Sequence, residues 1–278
     1  AGKVSKATEE DLVKLMVGRE LAHVNFQSHA QAGDLLLSVQ GLTCEGLCRD
    51  VSFAVRRGEV VGFTGLAGDG RSELFETVFG FRKPDAGSIS VAGKQVSIDL
   101  PSDATRLGIG YAPKNRKENA IIKDLSIAHN VSLASLNALC TGGVVRRRDE
   151  LERVSEHVKR MSLRYSSLHD PITSLSGGNQ QKVVLARWLE AKSDIIILDN
   201  PTQGIDVGAK AEIYELLTEL AEQGRAVIVL SSEYPEIARL CDRTYVMYHG
   251  AIVAELGREE LAEETVMGYS TGVLGQAV

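Results

Sequence analysis

Residues 59–80 read EVVGFTGLAGDGRSELFETVFG, and this stretch decides the fold. Its opening, Glu59 to Gly65, is continuous and apolar, as suits a central strand buried on both faces. Its close, from Arg71, has the periodicity of a helix. Between them Gly65-Leu66-Ala67-Gly68-Asp69-Gly70-Arg71-Ser72 fits G-x-x-x-x-G-[K]-[ST] with arginine in the lysine position. Strand, glycine-rich loop and helix in that order are the context in which backbone N–H groups curl around a phosphate and the helix start adds partial positive charge. The candidate nucleotide-binding residues are therefore Gly65, Gly68, Asp69, Gly70, Arg71 and Ser72, with the Ser72 hydroxyl offered to Mg²⁺. Arginine keeps the lysine's charge but presents a planar fork rather than a point charge. The competing reading is a strand-to-helix turn without a ligand.

Outward from this core, apolar β-rich runs alternate with helical periodicity, which indicates an α/β domain. Early strands are expected at LLLSVQGL (35–42), VSFAVRRG (51–58) and ISVAGKQV (89–96), and buried ones at DIIILD (194–199) and RAVIVLSS (225–232). Residues 115–180 read as an inserted helical subdomain. The last strands, TYVMYHG and AIVAEL, form a hairpin if His249-Gly250 is the turn. Ahead of Leu35, Thr8 caps a short amphipathic helix through Met16, and NFQSHAQAGD follows as a linker.

The 278 residues are 44% hydrophobic and 24% charged, an ordinary globular balance. A net charge of -6 argues against a broad nucleic-acid footprint. No run approaches the roughly 18 apolar residues of a membrane span, and Ala1 to Glu10 lack the layout of a secretory signal. Any membrane role is expected to come through a partner. Cys44, Cys48, Cys140 and Cys241 show no metal spacing and read as thiols of a reducing compartment.

Two further motifs carry chemistry. LSGGNQQK (Leu175 to Lys182) precedes a helical run and places Ser176, Gly177 and Gly178 at a helix N-terminus, a second anion site. Read alone, it is a serine cap with a glycine turn. In IIILDNPTQGID, four apolar residues deliver Asp199 to a strand end, where a carboxylate can hold Mg²⁺.

The phosphate loop, LSGGNQQK, ILDNPTQGID and the strand ending VIVLSSE, in this order, resemble the ATP-binding-cassette (ABC) family from about Leu35 to Gly257. LSGGNQQK and GIDVGAK narrow the resemblance to the sugar-importer branch, in which two cassettes share one polypeptide. The loop with Arg71 resembles the second cassette. The resemblance implies a P-loop NTPase fold with an antiparallel β subdomain and an inserted helical subdomain. It implies residues 1–34 as the tail of a preceding cassette plus linker, 35–257 as the nucleotide-binding domain and 258–278 as a C-terminal tail. ATP and Mg²⁺ are the implied cofactors. The implied partners are a second cassette, in the same polypeptide or as a homodimer, membrane permease subunits and a periplasmic or extracellular substrate-binding protein, with the domain at the cytoplasmic face of the membrane.

Against the family pattern, the general-base glutamate is Asn200, the histidine at the γ-phosphate is Glu233, and the glutamine after IGYAP is Lys114. All three deviate at the nucleotide, whereas the signature is intact. In the family two cassettes meet head to tail, so Ser176, Gly177, Gly178 and Gln180 would serve the partner's nucleotide. Two other readings stand beside this one: a soluble cassette acting on nucleic acid or in translation, and a structural cassette that has lost its nucleotide.

Overall fold

The computed structural model describes residues 33–275; the amphipathic helix read at Thr8 to Met16 lies outside them. Strands β1 (Leu35–Cys44) and β2 (Cys48–Arg56) open as an antiparallel pair, followed by β3 (Val60–Gly65) and α1 (Arg71–Val78). Next come β4 (Ala86–Val91), β5 (Lys94–Val96), α2 (Pro101–Arg106) and β6 (Ile109–Ala112). ISVAGKQV is thus two strands rather than one. Ala92 and Gly93 adopt φ of 48° and 76°, and these two left-handed residues turn the chain back on itself.

A helical region interrupts the sheet. It comprises a π-helical turn (Arg116–Ala120), α3 (Ile127–Ser132), α4 (Leu136–Leu139), a small hairpin β7 (Cys140–Thr141) and β8 (Val144–Val145), α5 (Arg147–Arg160) and α6 (Gly177–Glu190). The chain then alternates β9 (Ile195–Asp199), α7 (Val207–Glu222), β10 (Ala226–Leu230), α8 (Tyr234–Leu240) and β11 (Arg243–Tyr248), before β12 (Ala251–Gly257) and α9 (Glu263–Ser270). His249 and Gly250, both at positive φ, make the expected turn between β11 and β12. Beyond Gly257 the chain remains packed: α9 lies against β3 and β11 and buries Val266.

Two sheets result. One is antiparallel, in the order β2-β1-β4-β5; the other has six strands in the order β12-β11-β3-β10-β9-β6, parallel except for β12. Every residue of β3, β9 and β10 is buried, which is why these segments read as unbroken apolar runs rather than alternating ones. Between the sheets sit Phe53, Phe63, Phe75 and Tyr245, with Phe63 and Phe75 edge to face at 4.7 Å.

Register then places the chemistry. Leu230 pairs with Asp199 on one side and Phe63 on the other, so the carboxyl ends of β3, β10 and β9 emerge side by side, where open α/β sheets bind ligands. The helical region is tied to its own α6 by Arg187. Buried to 6% exposure, Arg187 donates Nε to Asn130 O (2.7 Å), Nη1 to Ala120 O (2.6 Å) and Nη2 to Asn130 Oδ1 (3.2 Å). Burial lowers its pKa to about 10.

Candidate functional site

The loop from Gly65 to Ser72 leaves β3 and enters α1 with Leu66, Ala67 and Gly68 exposed at its crest. At φ 154°, Gly65 has no room for a side chain, since a Cβ would collide with the Asp69 carboxylate and approach Met247 O to 2.5 Å. The amide of Asp69 bonds Leu66 O and that of Arg71 bonds Asp69 Oδ1. Gly70 caps α1 without a side-chain acceptor of its own, and the first amide of that helix, Arg71 N, is held by Asp69 Oδ1 instead.

Arg71 departs from the expectation that its charge sits at the phosphates. Its guanidinium turns back onto its own loop, where Nη1 donates to Gly65 O at 2.8 Å and Asp69 Oδ2 at 2.7 Å. The side chains of both Arg71 and Asp69 are about 95% removed from water, at 5% and 4% exposure. Burial raises the Asp69 pKa, against the opposing pull of Arg71.

A cleft of about 270 Å³ opens beside the loop, lined by Gly68, Asp69, Ser72, Tyr111, Lys114 and Asp199 among others. Here Ser72 Oγ donates to Asp199 Oδ2 at 2.6 Å, and Asn200 Nδ2 donates to Asp199 Oδ1 at 2.6 Å. Asn200 is left-handed at φ 48°, a conformation that asparagine tolerates better than most residues. Burial lifts the Asp199 carboxyl above its ordinary range, opposed by Ser72, Asn200, Arg71 and Lys114. Burial and the Asp199 charge together push up the Tyr111 hydroxyl. A hydroxyl and a carboxylate side by side are the hard oxygen donors that suit Mg²⁺, so these two residues fit that ion.

Glu233 does not face this cleft. Its carboxylate accepts from Lys210 Nζ of α7 at 2.7 Å, and its amide is held by Ser231 Oγ at 3.1 Å. Three residues on, the buried Glu236 accepts from Thr202 Oγ1 at 2.8 Å, and burial raises its pKa.

The signature residues line a separate cleft of about 590 Å³, with Ser176, Gly178, Asn179 and Lys182 on one side and Asp206 and Glu212 on the other. Ser176 caps α6, accepting from Asn179 N (3.5 Å) and Nδ2 (3.0 Å). Gly178 lets α6 approach α7, because a Cβ there would stand 2.6 Å from that of Ala209. Gln180, by contrast, points inward: its Nε2 donates to Leu175 O at 3.1 Å and supports the preceding turn. Sequence reading passed over Arg116, Lys210 and the Asp69–Arg71 pair. Only the acid two residues before Arg71 was a visible signal.

Residues 48–203 match the family model for ABC transporters. The chain is 47% identical over 267 residues to a ribose/galactose/methyl galactoside import ATP-binding protein of Geobacillus kaustophilus, covering 96% of this chain and 53% of that one. It is 44% identical over 270 residues to the ribose import ATP-binding protein RbsA of Halalkalibacterium halodurans, covering 97% and 54% respectively. The chain thus spans about half the length of the curated relatives it matches. Among solved structures, a nucleotide-free ATP-binding cassette from an ABC transporter superposes with TM-score 0.71 at 23% identity, covering 84% of this chain and 98% of that one. The cbiO1 protein of Clostridium perfringens, part of an ABC transporter complex, superposes with TM-score 0.70 at 25% identity, covering 87% and 96%.

Proposed function

Because the chain belongs to the ABC transporter family, we propose that it is the nucleotide-binding part of an importer for sugars of the ribose or galactose class. In this reading it is the second of two cassettes, and it completes the ATP site of the first. The observation that carries the proposal is the separation of its two anion sites. Ser176 and the start of α6 line one cleft; the phosphate loop with Asp199 lines another. One domain therefore offers two half-sites, and each needs a complement from a second cassette.

The halves are unequally equipped. At the loop, Ser72 and Asp199 would hold Mg²⁺, which supplies charge neutralisation between nucleotide phosphates. Yet Asn200 accepts no proton from water, and loss of a general base lowers rates by about 10²–10⁴. Arg71 is engaged with Asp69, and Glu233 with Lys210. At the signature, the Ser176 hydroxyl proton and the amides of Gly177 and Gly178 would stabilise charge in a transition state across the interface, Asn179 N being held by Ser176 Oγ. Nucleotide drives closure of two such cassettes only through its higher affinity for the closed pair. The permease would dock near Lys114 to Leu133 at the cytoplasmic face of the membrane, with a substrate-binding protein on the other side.

Phosphate release decides the reading. The isolated chain should show no sustained turnover with Mg-ATP, and Ser176→Ala should abolish hydrolysis by the assembled pair. Robust turnover by the chain alone would refute the division of labour.

A further inference from the structure

We infer that Arg116 is a third member of the signature half-site, its guanidinium receiving the terminal phosphate of a nucleoside triphosphate presented by the partner cassette. This rests on the trans-acting reading of Ser176 above.

Arg116 opens the π-helical turn after β6, and π-turns recur at functional positions. Its neighbours Lys114, Asn115 and Asn119 line the phosphate-loop cleft. Arg116 itself reaches the start of α6. A Cβ built on Gly177 would stand 3.0 Å from Arg116 Nη2 and 3.9 Å from Cζ. The φ of Gly177 is not positive, and the space beside it is narrowed by the guanidinium together with the Gly204 carbonyl, 3.3 Å from the same built Cβ.

Arg116 is 9% exposed, and among the described residues its side chain has no hydrogen bond or ion pair, with Nε buried and unpartnered. Desolvation accordingly lowers its pKa. Arg187, the other buried arginine of this region, is by contrast bonded to two carbonyls and an amide oxygen. A buried cation without an anion is destabilising, and one beside a helix N-terminus is doubly so, because that end of the helix is itself positive. The guanidinium stands against Gly177, the first residue of α6 and the neighbour of the Ser176 cap, and an anion received there would answer both the unpaired cation and the positive helix start. A phosphate suits the planar, two-pronged donor best.

The experiment measures ATP hydrolysis by the chain assembled with its partner cassette, and thermal midpoints of the chain itself. Arg116→Gln should reduce kcat/KM for ATP about 10- to 100-fold, the loss expected for a charge-assisted contact. Its midpoint should stay level or rise, since an unpaired buried charge has gone. Arg116→Lys should lose activity to a lesser degree, and neither change should alter ADP affinity. If Ser176→Ala abolishes hydrolysis while Arg116→Gln stays within twofold of the parent, the inference fails and the trans-acting reading survives. If neither substitution matters, both fail. A lowered midpoint for Arg116→Gln overturns the inference, because the cation would then be holding the fold. Should that variant not fold, Arg116→Lys decides: unchanged kcat/KM or an equal loss of ADP and ATP affinity refutes it.

Discussion

Ser72 and Asp199 lie 127 residues apart in the chain and 2.6 Å apart in the fold, hydroxyl against carboxylate. Parallel pairing of β3, β10 and β9 produces this meeting, since it brings the ends of β3 and β9 to either side of β10. The pair holds an acid in a desolvated pocket.

Removing the Asp199 charge should therefore stabilise the protein. Its pKa is raised by burial, so the folded chain binds that proton more tightly than the unfolded one does. The sign follows: folding is favoured below the ordinary carboxylate range, and the contribution is lost as pH rises through the folded value. Asp199→Asn should raise the thermal midpoint relative to the parent near neutral pH, with the difference shrinking in mild acid. The same variant should lose the further stabilisation that Mg-ATP gives the parent. Melting curves at two pH values, with and without Mg-ATP, check both halves.

The Asp69–Arg71 pair should be fragile to single changes and robust to a double one. Removing either partner leaves an uncompensated buried charge, and Arg71→Ala or Arg71→Met should destabilise by about 3–5 kcal/mol. Asp69→Ala with Arg71→Met removes both charges and should recover most of that loss. Arg71→Lys alone should not strengthen nucleotide binding, because Asp69 retains the cation; Asp69→Ala with Arg71→Lys should. Denaturation and ATP titration of the five variants separate these outcomes.

Glu233 and Lys210 should behave in the opposite way. Their side chains are 51% and 25% exposed, and a pair at such a rim is worth about 0–1 kcal/mol. Lys210→Ala should shift stability by less than that, measured by urea denaturation, and should leave Ser176-dependent hydrolysis in the assembled pair intact.

Much of this was legible in advance, and the limits have physical causes. Unbroken apolar runs marked β3, β9 and β10 because burial on both faces removes any alternation. The Ser176 cap was readable because a helix N-terminus needs a short polar acceptor at a fixed place. The loop at Ala92-Gly93 was missed because a two-residue turn leaves the apolar pattern of the flanking strands continuous. Side-chain direction was the larger gap. Arg71 and Gln180 hold motif positions, yet local partners, Asp69 and Leu175 O, claim Arg71 Nη1 and Gln180 Nε2. Arg116 lies 61 residues from Gly177, so only the fold reveals that they meet.

Replacing Asn200 by the missing glutamate should fail as a single step, for two reasons built into the backbone and its neighbour. Asn200 sits at φ 48°, where asparagine is tolerated and glutamate is less so, a strain of about 1–2 kcal/mol. The Asn200 amide also donates to Asp199 Oδ1, and a carboxylate in its place would repel that oxygen and drive the Asp199 pKa higher still. Asn200→Glu should thus lower the thermal midpoint and give no detectable phosphate release from the isolated chain. Adding Glu233→His should not rescue it while Arg71 remains bound to Asp69. Turnover should appear only when Arg71→Lys and Asp69→Ala accompany both changes. Phosphate release from the single variant alone would show that the general base was the sole missing part.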